Sequence, residues 1–185
     1  MKTIKITLSP ASSRGDAISI DKAIKELEKY RDSLVTKNEL FVKRLTEIGV
    51  NAAESALVGA NGDSDDPRFS FVFNTEYGVV SGKIIMTSTP HVDKEGRIFY
   101  PHLAWEFGAG IFYNNGNANP LAKDFGMGVG KFPGQRFALN DYWWYRDDAG
   151  DLHLSQGTEA VMPMYKASVE IITRIEQIAR EVFSE

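Results

Sequence analysis

Glu106 stands between two aromatic residues, Trp105 and Phe107, and runs into Gly108-Ala109-Gly110. A carboxylate in such surroundings has two uses. Burial can raise its pKa and make it a general acid, or it can serve the fold by accepting hydrogen bonds or pairing with a cation. His102 lies four residues earlier, so a helix would place both on one face, and His153 could complete a two-His, one-Glu zinc site. The chain lacks His-Glu-x-x-His, however, so Glu106 is expected to cap or pair within the fold, with no metal bound. Asp147 and Asp148 follow Trp143-Trp144-Tyr145, an acid beside aromatic platforms, as a carbohydrate-directed hydrolase would want. Those acids fall in an apparent turn, where solvation gives no reason for a raised pKa. Aromatic side chains that alternate along a strand are better read as core or interface.

Three further patterns invite chemistry and then fail on spacing. Gly126-Met127-Gly128-Val129-Gly130-Lys131 is glycine-rich, but Phe132-Pro133-Gly134 follows, where a phosphate loop needs a helix N-terminus. Lys131 is also not followed by Ser or Thr. Asn61-Gly62-Asp63-Ser64-Asp65-Asp66 is oxygen-rich like a calcium loop, yet Val72 stands where the closing Glu belongs. Arg14-Gly15-Asp16 is a three-residue match that arises by chance. No Gly-x-Ser-x-Gly elbow occurs, and with no cysteine there is no disulfide, thiol catalysis or Cys-based zinc site. No cofactor is expected.

The 185 residues suit one domain, with hydrophobic residues at 43% and charged residues at 25%. A net charge of −4 argues against tight nucleic-acid binding. In residues 19–57, seven basic side chains accompany seven acidic ones, which describes a solvated helix surface. No apolar run reaches the ~18 residues of a membrane span. The first residues alternate polar and apolar and do not resemble a signal peptide, so synthesis in a reducing cytoplasm is expected.

The elements follow from periodicity. Ile4, Ile6 and Leu8 share one face of a short strand, and residues 9–15 read as a loop. From Ser19, the residues Ile20, Ala23, Ile24, Leu27, Tyr30 and Leu34 make an apolar helical stripe. Thr36-Lys37-Asn38-Glu39 fits a capping box, so the stripe of Leu40, Phe41, Leu45, Ile48, Ala52 and Ala56 belongs either to a second helix or to a bent continuation. Residues 68–73 and 79–87 are strand-like and could pair through Glu76-Tyr77-Gly78. Pro101 would start a short helix over residues 102–107 that Gly108 stops. Residues 114–134 form a flexible loop anchored by Leu121 and Phe125. Tyr142 to Tyr145 is a strand, with His153 and Leu154 pairing back. A last amphipathic helix runs from Pro163 to Phe183. The expected class is α+β: one domain over 1–185, a small antiparallel sheet packed against a long N-terminal helix and a C-terminal helix.

The order of these pieces resembles the tail-completion (head–tail joining) family of tailed bacteriophages and prophages. Its motifs read roughly Tyr-x-x-Tyr-x-Glu-Phe-Gly-Thr and Pro-Phe-(apolar)-x-x-Ala. Here Glu106, Phe107 and Gly108 fall in register with the first, with Tyr100 and Trp105 each one position from its tyrosines; Pro163 opens the second, with Met164 in the place of Phe and Ala167 one position early. The resemblance covers Asp21 to Phe183, with two further departures. Ala109 replaces the usual Thr, and residues 60–69 replace an Ala-Pro-x-x-Thr-Gly-x-Leu segment. The resemblance implies a virion protein of the neck, made in the host cytoplasm and not an enzyme. It implies a homo-oligomeric ring, a hexamer, between the head–tail connector and the tail-tube protein, with Trp105, Glu106, Phe107, Trp143, Trp144 and Tyr145 at interfaces or in the core. The alternative is the small carbohydrate-directed hydrolase, with Glu106 or Asp147 as its acid beside Trp143-Trp144.

Overall fold

The computed structural model describes residues 15–58, 67–92, 96, 98–110, 119–127, 141–146 and 149–184. In chain order the elements are α1 (Gly15–Leu57), β1 (Arg68–Glu76), β2 (Val79–Thr87), β3 (His91–Val92), β4 (Ile98–Phe99), α2 (Pro101–Phe107), β5 (Ala109–Gly110), β6 (Trp143–Arg146), β7 (Leu152–Ser155), β8 (Gly157–Thr158) and α3 (Pro163–Phe183). The architecture is α+β: long N-terminal and C-terminal helices, with a two-stranded antiparallel sheet packed against the N-terminal one.

α1 is a single helix of 43 residues, about 65 Å long at ~1.5 Å per residue. The capping box expected at Thr36 is not used. A cap requires the backbone to leave the helical region, whereas the Thr36 hydroxyl donates to the Asp32 carbonyl one turn back, at 3.0 Å. Its hydrogen bond is met without a break, and no proline interrupts the run. The loop expected through Gly15 also ends sooner, because α1 begins at Gly15 and so takes in Asp16 of the Arg14-Gly15-Asp16 tripeptide. The strand expected at Ile4, Ile6 and Leu8, and the acidic stretch from Asn61 to Asp66, lie outside the described residues.

α3 runs antiparallel to the second half of α1. Arg44 pairs with Glu181 at 3.1 Å, the Phe41 and Phe183 rings lie 5.7 Å apart, and Ile171 meets the helix near Gly49. Between them Leu45, Ile178 and Val182 are buried, with Phe41, Ile48 and Ile171 around them. Each such fully buried side chain contributes about 1.5–3 kcal/mol. α3 ends beside Phe41, so α1 continues past it toward Gly15. Along that extension Ile20, Ile24, Leu27 and Tyr30 stay between 45% and 50% exposed.

β1 and β2 form a hairpin in unbroken register from Arg68↔Thr87 to Glu76↔Val79. Tyr77 and Gly78 make its turn with φ of 51° and 80°, the left-handed pair of a type I′ turn. Gly82, opposite Phe73, faces α1. A Cβ there would lie 2.7 Å from Thr46 Oγ1 and 2.8 Å from Val42 Cγ1. Both neighbours are β-branched and held to few χ1 rotamers in a helix, so neither can step aside cheaply. The missing side chain lets the strand lie close on α1. Among the described residues three smaller antiparallel pairings accompany the hairpin: β3 with β4, β5 with β8, and β6 with β7, the last bringing Leu154 opposite Trp144.

Gly82→Ala should therefore destabilise the protein by about 1–3 kcal/mol through overpacking, although alanine is otherwise the better residue for ordered backbone. Urea denaturation of the two proteins measures this, and an unchanged midpoint would show that the hairpin does not sit tightly on α1.

Candidate functional site

α2 needs partners at both ends. Tyr100, the residue before its first turn, provides no side-chain cap, and Pro101 removes one donor at N1. Ser88 supplies the missing acceptor from across the fold. Its Oγ accepts the His102 backbone N–H at 3.2 Å and lies 2.8 Å from His102 Nδ1. Burial holds the His102 imidazole below its usual pKa, which favours the neutral ring. At the other end Gly108, with φ 77°, donates back to the Ala104 carbonyl at 2.8 Å and turns the chain into β5.

From that turn the chain meets the start of α3 at four points. Ala109 and Gly110 pair with Thr158 and Gly157. Gly157 has φ 114°, and a Cβ on it would fall on the Ala109 carbonyl oxygen, so only glycine fits. The Trp105 carbonyl accepts both Val161 N–H, at 2.8 Å, and Met162 N–H, at 3.0 Å. Glu106 makes the fourth connection, at the helix terminus. Its Oε2 accepts Met164 N–H at 2.8 Å and its Oε1 accepts Tyr165 N–H at 3.0 Å. Those are two of the amides that a helix leaves without an internal partner in its first turn. Met162, the residue before α3, sits in the left-handed region and offers no side-chain cap, and Pro163 has no N–H. Glu106, 57 residues earlier than Pro163, is the cap of α3. Asn119 Nδ2 donates to the same Oε1 at 2.6 Å, while Asn119 Oδ1 accepts Leu121 N–H at 2.8 Å.

Glu106 is buried, as are Phe107 and Asn119. Burial pushes the carboxyl above its ordinary 4.5. The N–H groups of Met164 and Tyr165, the Asn119 amide and the Lys166 charge pull it the other way and offset only part of the rise. A carboxyl in either protonation state keeps a lone pair on each oxygen for these three donors. An amide does not.

The expected site residues thus separate. Trp105, Glu106 and Phe107 belong to this junction: Trp105 is half-buried, and the Phe107 ring lies 6.0 Å from that of Phe125. Trp144 is on β6 and 60% exposed. The side chains of Trp143 and Tyr145, and Asp147 and Asp148 altogether, lie outside the described residues. His102 turns to Ser88 and Glu106 to α3, so the two do not meet as metal ligands. Among the described residues no group of His, Cys, Asp and Glu could hold a metal ion, and no helix is long and apolar enough to cross a membrane. Gly126 is in a turn, and residues 128–131 lie outside the described ones. The anchoring of residues 119–127 differs from expectation. Phe125, though exposed, meets Phe107 as an anchor, whereas Leu121 is exposed and Asn119 and Ala122 are the buried residues, because Asn119 reaches Glu106 and carries the segment in with it. Asn119-Pro120 is a turn-initiating pair, the one local hint of that role. Nothing local marks Ser88. No family model, curated protein or solved structure matches the chain.

Glu106→Gln should leave one of the three donors facing another donor and destabilise the fold by about 1–3 kcal/mol. The pH dependence has a definite sign. With the folded pKa raised, Glu106 contributes its full stability below the unfolded value, and that contribution declines as pH rises through the folded one. Glutamine does not titrate, so the gap between the two proteins should be widest at acid pH and narrow toward neutrality. Paired urea titrations across that range test it, and a gap that widens with pH would mean the carboxylate is favoured on folding instead.

Proposed function

We propose that the protein is a virion structural protein of a tailed phage or prophage, acting at the head–tail junction by ring assembly and docking. One observation carries this reading. The two segments on which the family resemblance rests, residues 105–108 and 163–167, meet in space, with Glu106 capping the helix that Pro163 opens. The glutamate and the proline of the two motifs then answer one structural need. In the hydrolase alternative Glu106 would exchange a proton with a substrate, yet both of its oxygens already accept hydrogen bonds from the fold.

The free part of α1 supports assembly in a second way. Ile20, Ile24 and Leu27 recur at i, i+4 and i+7, with Tyr30 beside them, on a helix that has run past the end of α3. A contiguous apolar stripe of this kind is a feature of surfaces that meet other chains. A heterologous contact made by it would close into a ring, a hexamer in this reading, between the connector and the tail-tube protein. The mixed charge of α1 and the overall balance of −4 suit a protein that DNA passes without sticking.

Light scattering on size-exclusion fractions over a concentration series, with and without the candidate tail-tube and connector proteins, should give a closed oligomer or a complex with one of them. Ile24→Glu with Leu27→Glu should abolish it while leaving the stability of the dissociated chain, compared at a concentration below association, within about 0.5 kcal/mol per substitution, as for other exposed positions. A monomer at every concentration, indifferent to both partners, would overturn the reading and leave the hydrolase to be sought by turnover of polysaccharides lost in Glu106→Gln.

A further inference from the structure

β2 pairs with β1 alone among the described residues, and its other edge faces a cleft. The cleft has two adjoining lobes of ≈ 410 and ≈ 390 Å³ that share Lys83, Ile84 and Met164. Gly82, Lys83, Ile84, Ile85 and Met86 all line it, and no residue of β1 does. Successive strand residues point to opposite faces, so a cavity that touches five in a row meets the strand edge-on. In the first lobe the far wall is α3, presenting Met164, Ala167 and Ile171 at helical spacing, and in the second it is Leu103 and Phe107 of α2 with Phe125. The edge carries no proline and no bulge over its nine residues, and Lys83 is its only charge. Such an edge accepts another strand. An added strand would lie about 4.8 Å from β2 and turn alternate side chains toward α3.

We propose that this cleft receives residues 2–8 of a second copy of the chain, added as a strand to β2. The alternation of Ile4, Ile6 and Leu8 with Lys5 and Thr7 supplies an apolar face for α3 and a polar face for solvent. Chain length decides between the molecule's own segment and a neighbour's. α1 is one helix, and Val42, the first α1 residue lining the cleft, lies 27 residues beyond Gly15, about 40 Å along the axis. Leu8 is seven residues from Gly15 and reaches at most about 25 Å fully extended, and Ile4, eleven residues away, about 39 Å. The cleft follows β2 still farther from Gly15, since Gly82 lies by Val42 and Thr46 while Ile84 lies by Gly49. The segment cannot fill its own cleft. The unbroken α1 carries it outward to a neighbour, and because segment and cleft are different surfaces the contact can pass from copy to copy around a ring as well as be exchanged between two. The inference deepens the assembly reading by naming a second contact beside the α1 stripe, and rests on it only in assuming that copies associate.

The absence of cysteine makes the test clean. Ile4→Cys, Ile6→Cys and Leu8→Cys are each mixed with Ser168→Cys, a position on the α3 wall, under mild oxidation. At least one pair should give a disulfide-linked dimer, and the corresponding double variant should link between chains and not within one. An excess of a synthetic peptide of residues 1–10 should compete, raising the concentration for half-assembly of the full chain about tenfold or more. No cross-link in any of the three pairs, a cross-link within one chain, or no effect of the peptide would overturn the proposal. Assembly without the cross-link refutes this contact and leaves the neck reading standing. The cross-link in a chain that binds neither connector nor tail-tube protein supports the contact and counts against that reading.

Discussion

The cap that Glu106 places on α3 is the interaction on which the rest of the structure depends. α3 starts badly by its own sequence: Met162 is left-handed, Pro163 has no donor, and the first turn has no acidic residue. A helix start left without acceptors in a buried setting loses about 1–3 kcal/mol for each unsatisfied group. Glu106 removes that penalty for two amides with one side chain, and the Trp105 carbonyl takes the two N–H groups just before them. The position of α3 is thereby tied to α2, and through Ser88 and His102 to the end of the β2 hairpin. The tether holds the first turn of α3, and the buried cluster of Leu45, Ile178 and Val182 holds its other end against α1.

The cap also sets an electrostatic compromise. Taking a carboxylate out of water costs more than the three donors and Lys166 return, which is why the net shift is upward. The group is retained because the helix start needs an acceptor at that point, and a charge is not required for it. The surface ion pairs matter less. Arg44 and Glu181 are both nearly half exposed, a setting in which such pairs contribute ~0–1 kcal/mol, so apolar packing between α1 and α3 fixes their alignment.

Much of this was legible in the sequence where the cause is local. The Pro101 start and Gly108 stop of α2, the span of α3 from its apolar spacing, and the hairpin turn at Tyr77-Gly78 all depend on residues within one turn of each other. The Thr36 capping box failed for an instructive reason. The pattern states that a cap is possible there, but the hydroxyl has an equally good partner inside the helix, and the choice rests with the tertiary packing of Phe41, Leu45 and Ile48 on α3. Glu106 was foreseen as a capping or pairing residue, but not which helix it caps, because its partners are 58 and 59 residues away. Asn119 and Ser88 act at ranges of 13 and 14 residues across turns, which no periodicity reports. The role of Gly82 was invisible as well, since a close approach leaves no mark on the residues beside it in the chain.

Length, finally, constrains this molecule as much as chemistry does. α3 has 21 residues against the 43 of α1, so antiparallel packing from Phe41 onward must leave more than half of α1 outside the bundle. From Ile20 to Ser33, before the half-buried Leu34 and Val35, the helix orders its backbone without a packed face and is poorly stable alone, because most helical stability in proteins comes from tertiary contact. Its apolar stripe carries the same kind of residue as the covered half: Ile20, Ile24 and Leu27 continue the spacing of Phe41, Leu45 and Ile48. The core of one chain ends at Phe183 because α3 ends there, while the surface that could form a core does not. A second chain can supply the burial that the first half of α1 lacks, so folding and assembly become parts of one equilibrium in which the extension is stabilised to the degree that copies meet.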